Sequence, residues 1–191
     1  FGKPAAGQSL RVVTTTADSG AGSLRQAMLD ANATPTPDEI DFNIPPAGVH
    51  VITPLSPLPT ITQPLHINGR TQPGYTSTPL IQLNGISAGP CNGLWIVGTS
   101  NCVIEALSIT RFKTDGAYDT GNGIRAEQGG YHAFLGNYIG VNPSGTAAGD
   151  GNDGTGVCLA GSHDCKVGGT LPQGSEPDFS KRFQPVVGRD D

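Results

Sequence analysis

Charged residues are scarce in this sequence, and the basic ones are not clustered. Only 14% of the 191 residues are charged, and 11 basic against 16 acidic residues give a net charge of −5. A nucleic-acid or anionic-membrane partner needs a patch of Lys and Arg, which the sequence does not show. No apolar run approaches the roughly 18 residues that a membrane-spanning helix requires. The composition therefore argues against nucleic acid, against an anionic membrane surface and against a membrane span.

Aromatic residues are also few, at 6% with a single Trp, whereas turn-forming residues are abundant. The chain holds 28 Gly and 16 Pro, and its hydrophobic residues, 36% of the total, fall in short and regular bursts. An intrinsically disordered chain would instead combine a high net charge with few apolar residues. This composition predicts one folded domain that is built from many short strands joined by tight turns.

A repeated pattern between residues 92 and 170 predicts how the strands are arranged. Three segments open with Gly-apolar-x-apolar, and their Gly residues are 30 and 33 positions apart. This spacing is typical of solenoids, propellers and other repeat arrays. The openings are Gly93-Leu94-Trp95-Ile96, Gly123-Ile124-Arg125-Ala126 and Gly156-Val157-Cys158-Leu159. Because the apolar residues alternate with period two, each opening is a strand, and we expect Leu94, Ile124 and Val157 to stack in one interior.

Ahead of the repeat, the sequence predicts one helix and a series of strands. Ser23 and Gln26 have capping-box spacing, and apolar residues then recur with a helical period until Pro35 and Pro37 end the pattern. We expect this helix, residues 23–33, to cover the first coil, because a solenoid needs a cap at each end. The predicted strands are 12–16, 40–44, 49–53, 65–67 and 81–83.

Four stretches, in a fixed order, carry a likeness to a known group of proteins. They are residues 14–27 (TTTADSGAGSLRQA), 67–75 (INGRTQPGY), 136–140 (GNYIG) and 167–170 (VGGT). These stretches resemble motifs of secreted bacterial right-handed parallel β-helix surface proteins. The resemblance covers about residues 10–170. It implies an all-β, right-handed parallel β-helix with a short N-terminal capping helix, and we predict residues 1–170 as this domain. It also implies export and a role as a stalk, an adhesin or a carrier of other domains, but no single activity.

Two acidic loops, residues 115–122 and residues 150–153, precede equivalent coil starts. We expect them to lie side by side, because stacked strands are about 4.8 Å apart. Asp and Asn oxygens are ligands that Ca²⁺ prefers, so Ca²⁺ is the one cofactor that the sequence indicates. The alternative is ordinary turn chemistry, because tight turns also use Asp, Asn and Gly. The candidate ligands are Asp115, Asp119, Asn122, Asp150, Asn152 and Asp153.

The four Cys residues are even in number, which suits an oxidising compartment. Cys102 and Cys165 fall two coils apart, about 9.5 Å, which is too far for a disulfide. The local pairs Cys91–Cys102 and Cys158–Cys165 fit the repeat better, and we predict these two disulfides. The alternative is four free thiols that pack as small apolar residues.

The sequence offers an exposed aromatic residue but no evident catalytic group. Trp95 lies between inward residues, so the alternation points it outward, where it suits stacking on a sugar or contact with a partner; packing beneath a loop is the alternative. Enzymes on this fold, such as pectate-lyase-like proteins, generally need carboxylates or a metal beside an Arg or Lys base. The candidates are Asp115, Asp119, Arg125, Asp150 and Lys166. Arg125 and Lys166 occupy different offsets in their coils, and no two carboxylates are spaced as a glycosidase pair.

The repeat ends near Thr170, and residues 171–191 read as a C-terminal arm. Its apolar residues either fold back over the last coil or reach a neighbouring copy, and a head-to-tail contact of that kind generates filaments unless a ring closes. They are Phe179, Phe183, Val186 and Val187. We therefore expect an extracellular, non-catalytic structural or adhesive module at the cell surface that forms homo-oligomers or polymers. The alternative is a polysaccharide-binding or polysaccharide-degrading β-helix protein.

Overall fold

The computed structural model describes residues 9–116, 119–146 and 149–169, which form short strands and one helix. The helix α1 is Leu24–Asn32. The strands are β1 Ser9–Val13, β2 Asp38–Phe42, β3 His50–Ile52, β4 Leu65–Asn68, β5 Ile81–Asn84, β6 Leu94–Val97, β7 Val103–Glu105, β8 Leu107–Thr110, β9 Ile124–Gly130, β10 Ala133–Leu135, β11 Tyr138–Ile139, β12 Val157–His163 and β13 Lys166–Val167. Two short 3₁₀ turns, Gly69–Thr71 and Gly85–Ser87, follow β4 and β5.

Every strand pair in these residues is parallel, and the strands form three sheets that run along a stack of coils. Sheet A has the order β1-β2-β4-β7-β10-β13, sheet B has β3-β5-β8-β11 and sheet C has β6-β9-β12. Strands that are neighbours in a sheet belong to successive coils, and the chain makes about five coils. The architecture is a parallel β-solenoid, so the predicted fold class is confirmed.

Apolar side chains from successive coils lie over one another in the interior. In sheet C, Leu94 pairs with Ile124 and Ile124 pairs with Val157, as the repeat predicts. Sheet A contributes a second interior column of Ile40, Ile67, Ile104 and Phe134. None of these four side chains is more than 2% exposed. Full burial of such a side chain is worth about 1.5–3 kcal/mol, so these columns supply much of the stability of the fold.

The helix α1 covers the first coil, where it packs against β1 and β2. Ser23 begins it, because its side chain accepts a hydrogen bond from the backbone N–H of Gln26 at 3.2 Å. Only half of the capping box forms, since the Gln26 side chain donates to Asp30 instead. The buried face of the helix consists of Leu24, Ala27, Met28 and Ala31, the same stripe that its sequence period predicts. The predicted helix is confirmed.

The first strand lies three residues earlier than predicted, at Ser9–Val13 instead of 12–16. The backbone N–H groups of Thr14 and Thr15 donate to Gly22 O at 2.9 and 3.3 Å, which closes a turn before the helix. Gly22 has a φ of +76°, and a Cβ atom there would collide with Thr14 Oγ1. A tertiary contact thus ends the strand within a run of β-branched residues that favours continuing it.

Two stretches that carry the resemblance to β-helix proteins hold coils together. Arg25 Nη2 donates to Asp18 Oδ1 at 2.7 Å, and Arg25 Nη1 donates to Pro57 O at 2.6 Å. The Gln72 amide accepts from the backbone N–H of Ile44 at 3.0 Å and donates to its carbonyl at 2.7 Å. Both side chains bind main-chain groups far away in sequence, so these motif residues have structural roles.

Within the described residues, no further coil covers the last one. Leu159 is 41% exposed and Val167 is 55% exposed, although both occupy interior positions. The arm at 171–191 lies outside the described residues, as do the side chains that we expect to close this end: Phe179, Phe183, Val186 and Val187. In the part of the chain that the structure describes, no helix is long and apolar enough to cross a membrane.

Candidate functional site

The predicted calcium ligands of the second acidic loop form hydrogen bonds with other residues of the protein. Asp153 Oδ1 lies 3.1 Å from Lys113 Nζ, and this hydrogen bond lowers the pKa of Asp153. Asp150 Oδ2 accepts from the Asn142 amide at 2.8 Å. The Asn152 amide accepts a backbone N–H and donates to a backbone carbonyl of an earlier coil, both at 3.0 Å. These oxygens therefore take part in turn and cross-coil hydrogen bonds.

The first acidic loop uses its polar groups in a similar way. Asp115 Oδ1 accepts from the Thr120 hydroxyl at 2.9 Å, and Asp119 O accepts from the Asn92 amide at 2.7 Å. Asn122 is 1% exposed, and its Nδ2 donates to Asn92 Oδ1 at 2.8 Å across the coils. Within the described residues, no group of three or more His, Cys, Asp or Glu side chains is placed to hold a metal. The contacts favour turn chemistry, and the calcium site stays a prediction.

Trp95 lies on the outer face of sheet C, as the alternation predicts. Its side chain is 38% exposed, whereas Leu94 and Ile96 are fully buried. Trp95 Nε1 donates to Glu127 Oε2 at 2.9 Å, and Arg125 Nη2 donates to Glu127 Oε1 at 2.7 Å. The hydrogen bond from Arg125 is the main reason that the pKa of Glu127 is lowered. A partly exposed indole thus lies beside an ion pair, an arrangement that suits contact with a sugar ring or a partner surface.

The two predicted disulfides are wrong, because all four Cys residues are free thiols. The β6 strand separates Cys91 from Cys102, and four residues at about 3.3 Å each span roughly 13 Å, beyond the reach of a disulfide. Most of β12 likewise separates Cys158 from Cys165. The sequence places each pair in one coil, but an extended strand holds its members apart.

Each thiol has a different partner. Cys91 Sγ lies 3.9 Å from Ala88 O, and Cys102 Sγ lies 3.8 Å from Gln63 O. Burial raises the pKa of Cys91, and it raises the pKa of Cys102 to about 12. These two thiols pack as small apolar residues, which is the alternative that the sequence left open. The two others are half-buried: Cys158 Sγ lies 3.6 Å from Arg125 Nη1, and Cys165 Sγ lies 3.3 Å from His163 O.

The structure also holds a buried ionic cluster that sequence reasoning missed. His66 is 1% exposed, and its Nε2 lies 2.9 Å from Glu105 Oε1. On the other side, His66 Nδ1 lies 3.3 Å from Glu39 Oε1, an ion-pair contact that falls outside hydrogen-bond geometry. Asn68 Nδ2 donates to Glu39 at 3.1 Å, and Arg70 Nη1 lies 3.6 Å from Glu105 Oε2. Residues from β2, β4 and β7 therefore meet on the outer face of sheet A.

The charges in this cluster determine its protonation. Burial alone would lower the pKa of His66, but the hydrogen bond to Glu105 and the charges of Glu105 and Glu39 outweigh it and raise the pKa to about 9. Burial would raise the pKa of Glu39, yet contact with His66 and Asn68 lowers it. At neutral pH the cluster is an imidazolium between two carboxylates. Glu39 and Glu105 are only 8% and 3% exposed, so the ions are shielded from solvent and tie three successive coils together.

A second buried His lies in the later coils. His132 Nδ1 accepts from the backbone N–H of Cys102 at 3.2 Å, and its ring stacks on Phe134 at a centroid distance of 6.0 Å. Burial lowers the pKa of His132 to about 4, so the ring is neutral at pH 7. A shallow cavity of about 200 Å³ is lined by this segment together with Tyr131 and Lys166. Cys102, His132 and Cys165 occupy equivalent positions in three successive coils, so the two Cys residues lie two coils apart.

The five candidate catalytic residues do not form one catalytic group. Arg125 is in β9 of sheet C, bonded to Glu127, and Lys166 is in β13 of sheet A. The three remaining candidates are in the acidic loops, where Asp115 and Asp150 accept hydrogen bonds from neighbouring side chains. Arg125 and Lys166, which occupy different offsets in their coils, thus lie on different sheets.

Comparison with known proteins identifies no family for this chain. No protein-family model matches the chain, and no curated protein matches it. The parallel β-solenoid is consistent with a β-helix protein, whereas the likeness to secreted surface proteins rests on the four sequence motifs.

Proposed function

We propose that this chain is a non-catalytic structural module of a cell-surface protein, in which the β-helix is a rigid body that spaces or displays other parts. The observation that carries the proposal is that ionisable and amide side chains, which could otherwise act in catalysis or binding, form ion pairs and hydrogen bonds between neighbouring coils. The Glu39–His66–Glu105 cluster joins three coils, and the Asn92–Asn122 hydrogen bond joins two. Because each coil of a solenoid contacts only its neighbours, such bonds determine its rigidity.

End-on assembly is part of this proposal. The last described coil leaves apolar interior positions exposed, and among the described residues its strands have hydrogen-bonded neighbours on one side only. A strand edge in that condition is a template for another strand. A module that associates through its ends would build the oligomer or surface array that its sequence indicates.

The location outside the cell rests on the resemblance to exported β-helix proteins. The free thiols do not support it, since no cross-link ties the fold to an oxidising compartment. Protease treatment of intact source cells, followed by immunoblotting for the module, tests the location. We expect the protease to digest the module in intact cells. A module that is digested only after the cells are lysed would refute a surface role.

Polysaccharide binding is a second candidate function, favoured by the exposed Trp95 beside Arg125 and Glu127. Binding to arrays of neutral and acidic polysaccharides tests it, and a lyase assay with added Ca²⁺ tests the enzymatic version. We expect Trp95→Ala to abolish any binding, while Leu55→Ala, at a residue 68% exposed, leaves it unchanged. No binding and no turnover by the unaltered chain would discard this candidate.

A further inference from the structure

The outer face of sheet C holds an aromatic ring in a fixed orientation. Trp95 is 38% exposed, and its Nε1 donates to Glu127 Oε2 at 2.9 Å. Because this hydrogen bond orients the indole before any ligand arrives, a ligand that stacks on the exposed part of the ring pays little entropy to order it. A partly exposed ring of this kind suits a ligand that presents a flat apolar face.

The cation and the carboxylate beside the indole neutralise each other. Arg125 Nη2 lies 2.7 Å from Glu127 Oε1. The hydrogen bond with Glu127 is the main reason that the pKa of Arg125 is raised, and the charge of Asp119 adds to the effect. The register partners of Glu127 are Val97 and Ala160, which carry no charge. Two carboxylates therefore act on one guanidinium, and this surface offers an anion no surplus positive charge.

The carboxylate is also the more accessible member of the ion pair. The side chain of Glu127 is 28% exposed, whereas that of Arg125 is 11% exposed. An anion that approached Trp95 would meet the carboxylate more readily than the guanidinium, and the net charge of −5 adds to the repulsion. Sugars that carry carboxylate or sulfate groups are therefore disfavoured on this face.

Glu127 has hydrogen-bonding capacity that suits hydroxyl groups. An ionised carboxylate has about four acceptor sites, and Trp95 and Arg125 each use one of those on Glu127. A hydroxyl that donates to a carboxylate forms a charge-assisted hydrogen bond, which is stronger than a neutral one. An uncharged sugar provides such hydroxyls at its rim and a C–H face for the indole.

We infer that the outer face of sheet C, at Trp95, Arg125 and Glu127, binds neutral polysaccharides and discriminates against acidic ones. The inference rests on the polysaccharide-binding candidate proposed above and names its ligand class. Trp95, Arg125 and Cys158 are successive register partners in β6, β9 and β12. The binding face thus continues along the coil axis, where a polymer can follow it.

An array on which each neutral polysaccharide is printed beside its carboxymethylated form tests this inference with the full 191-residue chain. We expect binding to a neutral polysaccharide and roughly tenfold weaker binding to the carboxymethylated form of the same polymer. Trp95 is the only Trp of the chain, so a change in its fluorescence on titration with the soluble polysaccharide locates the contact.

Glu127→Gln removes the accessible negative charge and leaves Arg125 without its partner. We expect this variant to lose most of its discrimination against the carboxymethylated form, because the freed guanidinium attracts carboxylates. Asp30→Asn is the charge-matched control, since it removes one carboxylate from helix α1, outside sheet C; it should leave the preference unchanged. Far-UV circular dichroism establishes that each variant is folded.

The outcomes separate the ligand class from polysaccharide binding itself. Tighter binding of the carboxymethylated form, with an affinity that falls as salt is added, would overturn the neutral class while keeping polysaccharide binding. No binding of either form would overturn both. Binding that leaves the fluorescence of Trp95 unchanged would place the site elsewhere, and an equal effect of Glu127→Gln and Asp30→Asn would show that Glu127 does not determine the preference.

Discussion

The buried His66 gives the sharpest prediction, because His66→Gln should leave two carboxylates without their shared counter-ion. The pKa of His66 is raised from 6.5 to about 9 by Glu105 and Glu39. At about 1.4 kcal/mol for each pKa unit, the protonated ring contributes roughly 3 kcal/mol to stability. Removal of one partner from a buried ion pair has a cost of similar size, about 3–5 kcal/mol. We therefore expect His66→Gln to lower the free energy of unfolding by about 3 kcal/mol near pH 6.

The stability contribution of His66 should depend on pH in a definite direction. Since the folded-state pKa of His66 is raised above its unfolded value, the stabilisation is fully present below about pH 6.5 and is lost as the pH rises through about 9. The difference between the unaltered chain and His66→Gln should therefore shrink across this window. Added salt should change it little, because the ions are buried.

Urea unfolding followed by the fluorescence of Trp95, the only Trp, measures these free energies. The control is His163→Gln, whose ion pair with Asp164 is exposed and contributes no more than about 1 kcal/mol. If His66→Gln loses no more stability than His163→Gln, or if its loss is the same at about pH 6 and at pH 9.5, the account of a protonated His between two carboxylates is wrong.

Three further predictions use the same unfolding measurement. Met28→Ala in the capping helix should cost about 2–5 kcal/mol, because Met28 is fully buried, whereas the neighbouring exposed Leu29→Ala should change stability by no more than about 0.5 kcal/mol. Tyr131 has a φ of 56°, a backbone region that Asn adopts more readily; Tyr131→Asn should stabilise the chain by up to about 1 kcal/mol. Asn122→Ala should cost about 1–3 kcal/mol, because it leaves buried cross-coil hydrogen-bonding groups unpaired.

The regular part of the fold could be predicted from the sequence because its coils are nearly equal in length. Leu94, Ile124 and Val157 follow three Gly residues at nearly constant spacing, and the structure places them in one column. The helix was equally predictable, since a single period identifies both its buried stripe and its cap at Ser23. Local periodicity and repeat length are the signals that a sequence carries most directly.

The ionic cluster could not be predicted, because its coils are irregular. His66 pairs with Glu39, 27 positions earlier, and with Val103, 37 positions later, so no constant period links them. Glu105 is the register partner of Asn68, and its side chain reaches the His66 ring diagonally across the two strands. The disulfide prediction was wrong for a related reason. The spacing of Cys91 and Cys102 placed them in one coil, but it did not show that a strand holds them apart.

The stacking of coils in register is the claim on which the other conclusions depend, and one native thiol allows a direct test. Arg125 and Cys158 are Cα partners in adjacent strands and both point outward, so Arg125→Cys should form a disulfide with Cys158 under mild oxidation. Trp95→Cys is one coil further away, about 9.6 Å from Cys158, and should not. Peptide mapping of the folded, oxidised proteins by mass spectrometry measures both. A cross-link from position 125 but not from position 95 is the predicted result; the reverse pattern, or no cross-link from position 125, would contradict the coiled register.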